Sequence, residues 1–295
     1  MNDQARTPNA LRNWLSRRMH VLLIVLGLAL LVATLAVWTV DRFGCRAETS
    51  CDTLGSLNRA ADAEQFEAVI WQTTSEPGVQ AATPAAHAPA SATVAITPLR
   101  WMMFMDSMAI VPAYLGLLLI FLVFLSRDAA VWVDESRGSP WWFVSDWKLQ
   151  LACGLAVAAA VFDIAENGMT VRAAEDALEQ LLADPTVADV HLATRLKWTF
   201  IALASALLGV RALAASRRER DMRREAEHWL VAGALACGTT FLLLLVGEYG
   251  QFDMVRSIGA VTFGLELFLL GTALWKATSS DDAISHSQEQ GTLAT

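Results

Sequence analysis

The stretch that decides the fold is LQLACGLAVAAAVFDIAENGMTV, residues 149–171. Its first fourteen residues carry no charge, and Asp163, Glu166 and Asn167 follow near its end. At about 1.5 Å per residue, a helix of this length crosses a hydrocarbon core of about 30 Å. The stretch therefore predicts a transmembrane helix with polar groups toward one end.

Five more stretches are similarly long and apolar, and the predicted spans are residues 20–40, 101–125, 149–171, 196–213, 229–246 and 254–275. The whole chain is 55% hydrophobic and only 18% charged, whereas soluble domains carry about 25% charged residues. Helices satisfy their own backbone hydrogen bonds in lipid, and no alternating pattern suggests a barrel. We therefore expect an all-α, polytopic membrane helix bundle with six transmembrane helices.

The first span is predicted to be an uncleaved anchor. Four arginines precede it, and its apolar run ends only at the sequence WTVDR, residues 38–42. A cleaved signal peptide has an apolar region of about 7–15 residues followed by a small-residue cleavage site. The longer run favours the anchor, and the cleaved signal peptide is the alternative.

Basic residues set the expected orientation, because cytoplasmic loops are enriched in Lys and Arg. With the N-terminus inside, fourteen basic residues fall on the inner side, counting Arg211 at a span end, and eight on the outer side, counting Lys197 and Arg256 at span ends. The inner segments are 1–19, 126–148, the basic loop 214–228 and a predicted disordered tail, 276–295; the outer segments are 41–100, 172–195 and 247–253. We expect both termini in the cytoplasm (N-in/C-in) and, since Arg and Ala usage suggests a bacterial genome, a multi-pass protein of the bacterial inner membrane.

The outer segment 41–100 combines a short helix with a linker. Apolar spacing predicts an amphipathic helix over Leu54–Trp71, and the Pro/Ala-rich run Thr73–Pro98 predicts a disordered linker. Cys45 and Cys51 share this loop, where an oxidising periplasm favours a disulfide between them. Two free thiols are the alternative.

The second outer segment, 172–195, is predicted to contain a helix over Ala173–Ala183 that Pro185 stops. Thr186-Val187-Ala188-Asp189 resembles a capping box that opens the fourth span.

Standard catalytic and ligand-binding motifs are missing from the sequence. There is no Walker loop, no His-Glu-x-x-His, no Gly-x-Ser-x-Gly and no Cys-x-x-Cys. We therefore expect no metal and no cofactor. The net charge of −8 and the lack of a basic face argue against nucleic acid as a partner.

Combining topology with charge reveals a polar layer in the outer leaflet. Because successive helices alternate in direction, polar residues on three spans fall in the same outer leaflet, with Tyr114 roughly two turns deeper than Asp106: Asp106, Tyr114, Asp163, Glu166, Asn167 and Lys197. The spacing of Asp163, Glu166 and Asn167 places them on one helix face. Ionisable groups in lipid need partners or water, so we expect Lys197, with Arg195 as a further candidate, to face the acids. Such a cluster either holds the helices together or carries a function.

Glu266 lies near the middle of the sixth span, between apolar residues. No basic residue is expected at its depth, so it is either protonated or faces a wet cavity. It is the best single candidate for handling a proton or cation. The alternative is a neutral, hydrogen-bonded Glu between helices.

The polar pattern resembles a group of uncharacterised bacterial multi-pass membrane proteins. The shared features are an Asp and a Tyr in one helix, Asp-x-x-Glu-Asn ending the next, and a Lys opening the following one, here Asp106, Tyr114, Asp163, Glu166, Asn167 and Lys197. The resemblance covers residues 101–213 and implies a fold type and a polar cluster, but no reaction.

Three functional hypotheses remain open. The favoured one is a non-enzymatic inner-membrane protein that handles a proton, a cation or a small solute through the polar layer. The second is a membrane-embedded enzyme acting on a lipid or lipid-linked substrate, with Asp163 or Glu166 as general acid or base. The third is a scaffold or assembly factor that, besides the lipid bilayer, binds a protein partner through residues 41–100 or 211–224.

Overall fold

The computed structural model describes residues 57, 60–74, 96–126, 147–179, 181–218, 224–250 and 253–292. Every regular element in these residues is helical. The elements are α1 (Ala63–Thr74), α2 (Thr97–Met105), a π-helical turn (Asp106–Ile110), α3 (Val111–Ser126), α4 (Trp147–Leu178), α5 (Asp184–Arg218), α6 (Arg224–Tyr249) and α7 (Asp253–Thr292). The all-α prediction is confirmed for the described part of the chain.

Five stretches in these helices are long and apolar enough to cross a membrane. They are Thr97–Leu122, Trp147–Leu178, Asp184–Ser216, Glu227–Tyr249 and Met254–Lys276. Each one overlaps a predicted span, which supports a multi-pass membrane protein. The predicted span 20–40, Cys45 and Cys51 lie outside the described residues, so six spans and the N-in/C-in orientation stay predictions.

The prediction of a separate helix over Ala173–Ala183 is wrong. Its first part is the end of α4, which runs unbroken for 32 residues, about 48 Å at 1.5 Å per residue. The next helix, α5, begins at Asp184, and Pro185 lies in its first turn, where the missing N–H had no helical partner to lose. Hydropathy marks where the apolar run ends, but not where the helix ends.

The described residues pack as two units. The first unit, called here the hairpin unit, consists of the described residues within 115–157 and 198–295. The second, called here the cap unit, consists of the described residues within 28–114 and 158–197. Each is described by itself.

In the hairpin unit, α6 and α7 pack along each other. Glycines allow this close approach. A Cβ atom added at Gly247 would lie 2.5 Å from the backbone nitrogen of Arg256, and one at Gly259 would lie 2.8 Å from a methyl carbon of Leu244. Small residues at contacts let membrane helices approach backbone to backbone.

In the cap unit, α1 packs on the ends of α2, α4 and α5 through an apolar core, called here the apolar cap. Its buried members are Leu57, Ala60, Phe66, Ile70, Ile96, Leu99, Met102, Met103, Ala173, Ala174, Ala177, Val187 and Val190. The predicted helix over Leu54–Trp71 is not continuous: Leu57 is helical, residues 60–62 are not, and α1 begins at Ala63. Its start is fixed because Asp62 Oδ1 accepts a hydrogen bond from Gln65 N at 2.9 Å, and Asp184 Oδ1 accepts one from Ala63 N at 2.9 Å, as side-chain caps do.

Candidate functional site

The candidate site lies in the cap unit, where three helices bring polar side chains together. The first contribution comes from the π-helical turn, in which Val111 N–H donates to the carbonyl of Asp106. Pro112 follows directly, and since proline has no N–H, a normal helical bond from it to the preceding turn is lost. Widened turns of this kind occur often at functional sites. Here the turn carries Asp106 and Ser107, which both contact the same residue of α4.

That residue is Asn167, whose Nδ2 donates to Asp106 Oδ2 at 2.7 Å and to Ser107 Oγ at 3.0 Å. Asp163 and Glu166 share its helix face, as their spacing predicted, and all three are buried. Val161 and Ile164, on the same helix, are exposed. The polar face of α4 is therefore turned into the protein, and large apolar residues beside it, Val161 and Ile164, are turned outward.

The third helix, α5, supplies the positive charge. Lys197 Nζ lies 2.7 Å from Asp163 Oδ1 and 2.8 Å from Glu166 Oε2. The ammonium group thus bridges two carboxylates one helical turn apart. Its side chain is only 13% exposed, so water screens these contacts weakly.

The remaining carboxylate oxygens on α4 also have donors. Tyr114 OH donates to Asp163 Oδ2 at 3.0 Å. Thr194 Oγ1 donates to Glu166 Oε1 at 2.8 Å, with the Val190 carbonyl at 3.0 Å as its alternative acceptor. Both oxygens of Asp163 and both of Glu166 are therefore engaged by the protein itself.

Asp106 differs from the other two acids. It contacts the rest of the cluster through Asn167, and among the described residues it has no salt-bridge partner within 4.0 Å. It is also partly exposed, whereas Asp163 and Glu166 are buried. The arrangement is thus asymmetric: the two carboxylates on α4 contact Lys197, whereas Asp106 is held by the Asn167 amide.

All six residues of the predicted layer meet in this arrangement, called here the polar cluster: Asp106, Tyr114, Asp163, Glu166, Asn167 and Lys197. Arg195, the further candidate, is exposed on α5. Sequence reasoning missed Ser107 and Thr194. Thr194 precedes Lys197 by three positions, a helical spacing that could have pointed to it.

The apolar cap adjoins the polar cluster along the same helices. Met102 and Met103 lie about one turn before Asp106, and Val190 lies one turn before Thr194. Beyond them, Arg100 Nη2 and Glu175 Oε1 form an ion pair at 2.7 Å, both about 41% exposed. This pair is more exposed than the ion pairs of Lys197.

Glu266 belongs to the hairpin unit and has different surroundings. It is fully buried, and its Oε1 accepts a hydrogen bond from Ser205 Oγ at 2.8 Å. Near the turn between α6 and α7, Glu248 and Arg256 form an ion pair at 3.4 Å.

The described residues contain no group of three or more His, Cys, Asp or Glu side chains placed to hold a metal ion. Comparison of the chain with protein-family models, with curated proteins and with solved structures finds no match. The resemblance carried by the polar pattern therefore stays an expectation.

Proposed function

We propose that this chain is an integral membrane protein that takes up and transfers protons through the polar cluster, with Asp106 as the group that exchanges the proton. One observation carries the proposal. Three acids share a single base: Lys197 forms ion pairs with Asp163 and Glu166, whereas Asp106 has no salt bridge among the described residues.

Charge balance supports a positively charged ligand. With all groups ionised, Asp106, Asp163 and Glu166 exceed Lys197 by two negative charges. A surplus of buried charge in a membrane costs several kcal/mol unless it is neutralised. A proton is the smallest neutralising ligand and fits beside an acid whose neighbours are already packed.

The same surplus argues against an anionic substrate. A phosphate of a lipid or lipid-linked compound would meet excess negative charge at Asp106, and Lys197, the base of the cluster, is already bound to two carboxylates. Repulsion between like charges in a poorly solvated site costs more than in water. The geometry therefore favours proton handling over the lipid-enzyme hypothesis.

Proton flux into vesicles tests the proposal. The purified protein is reconstituted into liposomes containing a pH-sensitive dye, and an imposed pH gradient is followed over time. Wild-type protein should dissipate the gradient faster than empty liposomes. Asp106→Asn keeps the size and the contact with Asn167 but cannot exchange a proton, so the flux should fall by about 100-fold, the order typical for loss of a proton-transfer group.

Glu175→Gln provides the matched control, because it also neutralises an acid but acts on the more exposed pair with Arg100. It should leave the flux unchanged. Equal fluxes in wild type and Asp106→Asn would refute the proposal. A flux that follows a sodium gradient instead of the pH gradient would replace the proton by a small cation.

A further inference from the structure

The hairpin unit contains a second buried acid whose charge is neutralised in another way. Glu266 lies in α7, inside the apolar stretch Met254–Lys276, and its exposed fraction is 0%. Transferring an ionised carboxylate into such surroundings costs far more than transferring a neutral polar group. Its surroundings therefore decide which form the protein can hold.

The polar contacts of this carboxyl within the described residues are with neutral groups. Ser205 on α5 donates to it at 2.8 Å, and the side chains of Thr240 and Cys237 on α6 also interact with it. No Lys, Arg or His of the described part of the chain forms a salt bridge with Glu266 within 4.0 Å. The ion pairing that neutralises Asp163 and Glu166 has no counterpart here.

Two buried oxygen atoms in this site have no well-aligned hydrogen-bond partner among the described residues. They are Glu266 Oε2 and Thr240 Oγ1. Buried polar atoms are almost always satisfied, and exceptions indicate a missing partner. A single proton on Oε2 would let the carboxyl donate to Thr240 Oγ1 and would satisfy both atoms together. A hard cation would fit less well, since such ions take about six oxygen ligands and these three side chains supply fewer.

We propose that Glu266, Ser205 and Thr240 form a second proton-binding site, which holds one proton between Glu266 Oε2 and Thr240 Oγ1. The site uses none of the residues of the polar cluster and does not depend on the function proposed for it. Ser205 fixes the carboxyl by donating to Oε1, and Thr240 accepts from Oε2. Cys237 contributes a neutral thiol beside them.

Infrared spectroscopy of the full-length protein in lipid nanodiscs tests this site. A protonated carboxyl has a carbonyl stretching band separate from that of a carboxylate, and subtracting the spectrum of Glu266→Gln isolates the band of Glu266 from those of other acids. The band should be present at neutral pH in a sodium-free buffer. In Thr240→Val it should remain but move to higher frequency, because the carboxyl loses its acceptor.

Thr239→Val is the matched control, since Thr239 is the neighbouring residue but is exposed and donates within its own helix, to the Leu235 carbonyl at 2.9 Å. It should leave the band unmoved. If Glu266→Gln does not fold, the Thr240→Val minus wild-type spectrum still reports the shift.

Two outcomes would overturn the proposal. The first is that no protonated-carboxyl band changes in Glu266→Gln or Thr240→Val at neutral pH. The second is that the band disappears when sodium chloride replaces choline chloride, which would make the site a cation site. Proton flux through the polar cluster is a separate measurement, so one proposal can fail while the other stands.

Discussion

Replacing Lys197 by Met tests whether the ammonium group holds the polar cluster together. Met keeps much of the apolar stem of Lys and removes only the charge. Asp163 and Glu166 then keep their donors Tyr114 and Thr194 but lose their common cation. Two carboxylates that lie one turn apart on α4 are left facing the space it occupied.

The distances give the size of the effect. At 2.7 and 2.8 Å, each ion pair corresponds to about 6 kcal/mol of Coulomb attraction at an effective dielectric constant of about 20. Desolvation of the three groups offsets most of this attraction. Removing one partner of a buried pair nevertheless costs about 3–5 kcal/mol, because the remaining charge stays buried. The melting temperature should fall by roughly 10 °C, on the scale for chains of 150–250 residues.

Thermal unfolding in nanodiscs, followed by the fluorescence of the 11 tryptophans, measures the change. A triple variant, Lys197→Met with Asp163→Asn and Glu166→Gln, removes all three charges while the amides keep accepting from Tyr114 and Thr194. It should recover at least about half of the loss, because neutral replacement of a complete buried ionic group is often tolerated.

Arg100→Met is the control, since its pair with Glu175 is about 41% exposed and such pairs contribute at most about 1 kcal/mol. A melting temperature of Lys197→Met equal to that of Arg100→Met would refute the reasoning. So would a triple variant that is no more stable than the single one.

Three further changes should affect stability in a position-dependent way, each measured by thermal unfolding. Gly247→Ala should lower the free energy of unfolding by about 1–3 kcal/mol, because its Cβ would lie 2.5 Å from Arg256 N. Gly238→Ala, whose Cβ would have nothing within 4 Å, should be neutral. Equal effects of the two substitutions would contradict the close packing of α6 and α7. Tyr114→Phe should cost about 1–3 kcal/mol, because a buried oxygen of Asp163 loses its donor, and an unchanged stability would argue against that bond. Phe66→Ala should cost about 3–5 kcal/mol and speed proteolysis near α1; protection equal to wild type would contradict its role in the apolar cap.

The sequence predicted the helices and one helix face well, for physical reasons. Long uncharged runs have few alternatives to a membrane helix, and five of the predicted spans overlap helices that are long and apolar enough to cross a membrane. The spacing of Asp163, Glu166 and Asn167 fixes a common face in any helix. Placing Lys197 near that face needed only the alternating direction of successive helices.

Other features depend on tertiary structure and left little trace in the sequence. The π-helical turn at Asp106–Ile110 depends on which backbone carbonyls the N–H groups before Pro112 bind. Hydropathy carries no information about that choice of hydrogen-bond partner. Ser107 was missed for this reason. The extension of α4 beyond Val171 was also missed, because its alanines are buried by α1 and not by lipid. The predicted first span and the Cys45–Cys51 pair lie outside the described residues.

The two buried acidic sites differ in how their charge is neutralised, and this difference separates structural from functional roles. At Asp163, an isosteric amide leaves Lys197 with one fewer carboxylate, so Asp163→Asn should destabilise the protein. At Glu266, where the polar contacts among the described residues come from hydroxyl and thiol groups, an amide resembles the protonated acid in shape and charge. Glu266→Gln should therefore keep the melting temperature of the wild type while losing the exchangeable proton. If Glu266→Gln preserves the fold, the role of Glu266 is to hold a proton. If Asp163→Asn destabilises the fold, the role of Asp163 is at least partly to supply a negative charge to Lys197.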